Sequence, residues 1–180
     1  MTNTKTLKEF NEQLAICKEV FEKKHQDYGA SWVIMRVSSL IDQLFIKAQR
    51  IRNIQTTDQQ KIQDNERIEF VGLVNYAIMA LIQLEKTAPL APQSSWEQLE
   101  RLYDQQARSC VALLQEKNHD YDEAWRLMRV SSMTDIILTK IYRIQQIEEH
   151  GVKFSEGLAS NFQDILNYSV FCLILLKNNP

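Results

Sequence analysis

The stretch Lys24–Ser39, KHQDYGASWVIMRVSS, decides how the rest of the chain is read, because it occurs twice. Its second appearance is Lys117–Ser132, KNHDYDEAWRLMRVSS, 93 residues further on. The correspondence continues outward through Asp42/Asp135, Lys47/Lys140, Arg50/Arg143 and Ile51/Ile144. With the offset shortened by one residue it reaches Asn75-Tyr76/Asn167-Tyr168. Self-similarity at a fixed spacing marks a repeated structural unit. Two copies, at about 5–86 and 96–177, fill the chain. The linker, 87–95, carries Pro89 and Pro92, which cannot continue a helix, and ends on Ser95, which with Gln98 forms a capping box for the next one.

Four glycines and three prolines in 180 residues are too few for the turns of a sandwich or barrel, so long helices are expected. Each copy reads as three of them: 5–24, 31–52 and 65–86, then 96–117, 123–150 and 156–177. The third helix of each copy is apolar nearly all round and cannot bury itself within its own unit. The expected fold is therefore an all-α helical bundle, an internal duplication of a three-helix unit with pseudo-two-fold symmetry, forming one domain.

A net charge of −2 argues against a broad electrostatic footprint for duplex DNA or RNA. The polar stretch 1–10 lacks the apolar core of a signal peptide. The longest apolar stretches, 70–84 and 162–176, fall short of the ~20 residues of a membrane span and read as buried core helices. Three cysteines without metal-knuckle or disulfide spacing fit a reducing cytoplasm. Cys17 and Cys110, which are equivalent, read as core, and His25, His119 and His150 as surface residues.

The second helix of each copy carries the most chemistry. At about 100° per residue from Trp32, the core arc holds Val33, Ile34, Val37, Leu40, Ile41, Leu44, Phe45, Ala48 and Ile51. The opposite arc holds Trp32, Arg36, Ser39, Gln43, Ile46, Lys47 and Arg50, with Asp42 at its edge. Between the copies Gly29/Asp122, Ala30/Glu123, Val33/Arg126 and Gln49/Tyr142 have diverged, whereas the Trp, Arg, Ser, Asp, Lys and Arg of the polar arc have not. A merely solvated face has no reason to keep those identities. Arg36, Lys47 and Arg50, with Arg129, Lys140 and Arg143, form a stripe suited to a phosphate chain, since guanidinium forks bind oxygens bidentately. The competing reading is a set of salt bridges to acids of neighbouring helices, and the two are compatible. Trp32 and Tyr28, with Trp125 and Tyr121, are the candidates for stacking a base.

Asp27 and Asp120 fall in the Lys-x-x-Asp-Tyr turn, where an aspartate serves as a helix cap or turn residue. The functional reading makes them Mg²⁺ ligands together with Asp42, Asp135, Glu69 and Asp164, because that ion takes one or two carboxylates plus substrate phosphates. Asn75 and Asn167 sit within apolar helices. Each is either a buried contact fixing helix register or a contact to a base edge or phosphate.

These motifs resemble the nucleotide modification associated domain 1 family over nearly the full chain. The resemblance rests on Lys24-x-x-Asp27-Tyr28-Gly29-x-Ser31-Trp32, Arg36-x-Ser38-Ser39, Asp42, Lys47-x-x-Arg50-Ile51 and Glu69-Phe70-x-Gly72-x-x-Asn75-Tyr76. The second copy contributes Lys117-x-x-Asp120-Tyr121 through Asp164-x-x-Asn167-Tyr168. It implies a role in nucleotide or base modification metabolism. A looser similarity is to the all-α nucleoside triphosphate pyrophosphohydrolases, whose Glu-x-x-Glu and Glu-x-x-Asp motifs hold Mg²⁺. Glu19-Val-Phe-Glu22 matches the first motif, with Ala112 and Gln115 at its place in the second copy. The second motif reads Glu69-Phe-Val-Gly72 and Asn161-Phe-Gln-Asp164.

The expectation is thus a cytoplasmic nucleotide-binding protein, with Mg²⁺-dependent hydrolysis of a (deoxy)nucleoside triphosphate as its enzymatic form. The alternative is a noncatalytic helical module whose polar face meets a partner or a second copy of the chain.

Overall fold

A computed structural model describes residues 2–57, 63–86, 89–121, 123–151 and 157–178, with side chains for 5–57, 66–86, 89–116, 123–151 and 157–177. The chain forms α1 (Thr2–Tyr28), a 3₁₀ turn (Ser31–Ile34), α2 (Val37–Thr56) and α3 (Gln63–Glu85). The second copy repeats that order as α4 (Trp96–Tyr121), a 3₁₀ turn (Ala124–Leu127), α5 (Val130–His150) and α6 (Leu158–Asn178). No strand is present among the described residues. The fold is the all-α bundle expected from a duplicated unit.

The halves meet through equivalent helices. Lys18 of α1 bonds Glu100 (2.8 Å) and Asp104 (2.9 Å) near the start of α4, while Thr6 of α1 reaches Glu123, beyond the end of α4. Arg52 of α2 faces Asp135 of α5, and Gln55 bonds Thr134 at 3.0 Å. Arg67 of α3 donates to the Leu173 carbonyl of α6 at 3.1 Å. In each pair the later half of one helix meets the earlier half of its counterpart. All three pairs are therefore antiparallel, as a two-fold axis across the helices requires. Buried residues from both halves form one continuous cluster. Helices α3 and α6 pack against each other, and fully buried Phe70, Leu73 and Ile78 of α3 and Phe162, Ile165 and Leu166 of α6 belong to this cluster, each contributing about 1.5–3 kcal/mol. The stretch Glu66–Glu85 has the length and hydropathy of a membrane span, and most of it is buried here.

The linker docks on the end of α1. Gly29, at φ +61°, caps that helix by donating to the His25 carbonyl (2.8 Å). Ala30 N–H then bonds the Pro92 carbonyl at 2.8 Å. Ser95 and Gln98 form the expected capping box, at 3.1 and 3.4 Å.

The second helix of each copy departs from expectation. Helices spanning 31–52 and 123–150 are each interrupted by a 3₁₀ turn followed by two non-helical residues, and α2 and α5 begin only at Val37 and Val130. Arg36 and Arg129 are the residues before those starts, with extended backbone. In the first copy Gln83 of α3 donates to the carbonyls of Val33 (2.8 Å) and Met35 (3.2 Å), pairing groups left free where the helix is broken. The break rotates what precedes it away from the arc. Trp32 and Trp125, expected on the polar face, are buried, while Ile34, expected in the core, is 75% exposed. Within the continuous helix the arc holds for Leu40, Ile41, Leu44, Ala48 and Ile51; Phe45, at its edge, is exposed.

Candidate functional site

The end of α1, the 3₁₀ turn and α3 enclose a cleft of about 360 Å³. Its wall includes Lys24, Tyr28, Gly29, Ser31 and Trp32 from one segment and Gly72, Asn75 and Tyr76 from another, joined by Phe21, His25 and Met79. Trp32 packs its indole at 6.1 Å from the Phe21 ring, and Tyr28 stands at the rim, 60% exposed. Burial pushes the Tyr76 phenol up, and neighbouring Tyr28 adds to the effect. Lys47 Nζ lies 5.7 Å from the Tyr76 ring centroid.

Asn75 is held at both ends of its amide. Its Nδ2 donates to the Cys17 carbonyl at 3.0 Å, and its Oδ1 accepts from the Tyr103 hydroxyl at 2.9 Å. This is the buried register contact considered from sequence. The second Nδ2 hydrogen remains for the cleft that Asn75 lines. Burial pushes the thiols of Cys17 and Cys110 up to about 12, so neither supplies a nucleophile near neutral pH.

The basic stripe divides. Lys47 and Arg50 bond the two oxygens of buried Glu69, at 3.1 and 3.0 Å, clamping α2 to α3. Gly72 makes room for this: a Cβ there would lie 2.7 Å from the Lys47 methylenes. In the second copy Lys140 bonds Asp164 at 2.8 Å, one helical turn along, where the first copy has Gly72. The acids found at different turns in the two sequences thus meet equivalent lysines. Arg36 and Arg129 are exposed, and Arg143 is half-buried and partnered.

The candidate metal ligands are not brought together. Among the described residues no three His, Cys, Asp or Glu side chains gather where they could hold an ion. Glu69 and Asp164 are neutralised by cations, and Asp135 faces Arg52 at 3.9 Å. Asp27 and Asp42 are exposed. Among the described residues these carboxylates therefore form no three-ligand cage. The side chains of Asp120 and Tyr121 lie outside the described residues.

Trp125 stacks on Phe171 at 4.2 Å with a 9° interplanar angle, and the Arg126 guanidinium lies 4.4 Å from the ring. With both so close, Trp125 is only 7% exposed. The stacking role expected of Trp125 has no free surface. Arg126 is fixed by Glu9 (2.6 Å), Glu123 (2.7 Å) and Thr6 (2.7 Å). Phe171 and Arg126 stand where the first copy has Met79 and Val33, so those two replacements fill the space over the indole.

Residues 24–84 and 117–176 match the family described as nucleotide modification associated domain 1. The chain belongs to this family. The matched segments begin at the two Lys-x-x-Asp-Tyr motifs and run to the ends of α3 and α6, so each family unit comprises the cleft-forming turn and the two helices after it. No curated protein and no solved structure matches the chain. Phe21, His25 and Met79, which complete the cleft of this family member, were missed from sequence. Their helical positions mark them only as core or surface.

Proposed function

We propose that the first-repeat cleft binds a nucleotide, its base against Tyr28, Trp32 and Tyr76 and its phosphates toward Lys24 of the cleft wall and the exposed Arg36, which follows the cleft-lining Met35 in sequence. One observation carries this reading: two motif segments about forty residues apart, both within the family match, line a single cleft. Aromatic walls with a few placed polar groups are the usual lining of a small-molecule site. Lys47 and Arg50, already paired with Glu69, act as the clamp beneath it, and the second repeat is a scaffold with its tryptophan covered. The reading is one of binding; the hydrolytic form lacks a carboxylate cluster among the described residues.

The test is a thermal-shift panel of nucleoside mono-, di- and triphosphates with and without Mg²⁺. A ligand at 100 times its Kd stabilises the fold by ~2.7 kcal/mol. Tyr28→Ala and Lys24→Ala, both at exposed positions, are expected to lower affinity with little change in melting temperature. A panel in which no nucleotide shifts the transition overturns the proposal.

A further inference from the structure

We propose that the outer face of the α2/α5 pair is a self-association surface on which two copies of this chain dock antiparallel. On α2, Asp42, Phe45, Gln49 and Arg52 follow at steps of three, four and three residues; on α5, Asp135, Leu138, Tyr142 and Gln145 do the same. That spacing is the seam pattern of a packed helix. Arg52 opposite Asp135 and Gln55 opposite Thr134 set the register of the antiparallel pair and place Phe45 across from Tyr142. Both aromatics are solvent-facing, 42% and 62% exposed, and Leu138 beside them is half-buried.

Charge at the two ends of the seam sets the direction in which a second copy docks. One end holds Asp42, Glu148 and Glu149; at the other, Arg52 is paired with Asp135 at 3.9 Å. The acids crowd one another: burial, then Asp42 and Glu149, push the Glu148 carboxyl above its ordinary value. A second copy related by a two-fold axis across the seam brings its Arg52–Asp135 pair, which carries no net charge, over these acids, while an axis along the seam would set three acids on three. Size agrees. Twenty-residue helices are ~30 Å long, and two of them 8–10 Å apart present a face of about 600 Å² per copy. The total reaches the lower bound, about 1,200 Å², of stable interfaces.

Sedimentation velocity over a concentration series tests this on the full chain. The expected result is a reversible shift from 21.1 kDa to twice that mass. Phe45→Asp and Tyr142→Asp should each weaken the dimer about a hundredfold, ~2.7 kcal/mol, with unchanged helical circular dichroism. Arg52→Glu should weaken it about tenfold, and adding Glu148→Arg should restore it, because each copy then presents the exchanged pair. A chain that stays monomeric, forms open-ended oligomers, or dimerises with indifference to Phe45→Asp and Tyr142→Asp overturns the proposal, leaving this face to another partner or to solvent.

Discussion

The Tyr103 hydroxyl donates a 2.9 Å hydrogen bond to Asn75 Oδ1, and both residues are buried. Duplication places Phe10 where Tyr103 stands and Asn167 where Asn75 stands. Phenylalanine has no hydroxyl, and Asn167 Oδ1 is buried without a partner.

Tyr103→Phe is expected to cost about 1–3 kcal/mol, the penalty of leaving a buried acceptor unpaired. Phe10→Tyr, which offers Asn167 the missing donor, should gain about 1 kcal/mol. Thermal melts of the two variants should move in opposite directions. If they move together, the two asparagines do not sit in equivalent environments.

Glu69 distinguishes its two cations. Lys47 is mostly covered, with 20% of its side chain exposed, whereas Arg50 is 58% exposed. Arg50→Ala should therefore cost no more than ~1 kcal/mol. Lys47→Ala, which uncovers a buried carboxylate beneath α2, should cost about 1–3 kcal/mol. Equal losses in urea denaturation would show that the two ion pairs contribute alike.

Two glycines should respond differently to alanine. At Gly29 the backbone is left-handed and an added Cβ would lie 2.7 Å from the Pro92 carbonyl oxygen, so both strain and a backbone clash oppose the change. A loss of ~2 kcal/mol or more is expected, within the range for left-handed strain and overpacking. At Gly72 the obstacle is the flexible Lys47 stem. Gly72→Ala should cost less and act through the Lys47–Glu69 contact, so its effect should vanish in a Lys47→Ala background. A full-sized Gly72→Ala loss in that background would place the obstacle elsewhere.

The Arg126 cluster predicts an acid transition. Burial alone would raise the Glu123 carboxyl, but its bond from Thr6 and its contact with Arg126 hold it below the usual carboxylate range. A depressed folded-state value stabilises the fold above the unfolded value, near 4.5, and that stabilisation is lost as pH falls through the folded value. Glu123→Gln should flatten the fall in melting temperature below that point. The same slope in both proteins would assign the acid transition to other carboxylates.

Much of this architecture is legible in the sequence because its signals are local or repeated. The repeat, the three helices per unit, the linker and its Ser95–Gln98 box, and the core face of α2 from Leu40 to Ile51 all follow from spacing within a continuous helix or from comparing the chain with itself. Tertiary structure alone decided three things. It broke the helix at 31–36, where carbonyls pair with Gln83 of α3 and the indole of Trp32 is buried by Phe21. It spent the charge of Lys47 and Arg50 on Glu69. It left the first cleft open while Phe171 and Arg126 covered Trp125. Helical period reports which side of a helix a residue takes, and nothing in it specifies which atoms stand across the interface, which is what sets burial, pairing and open space.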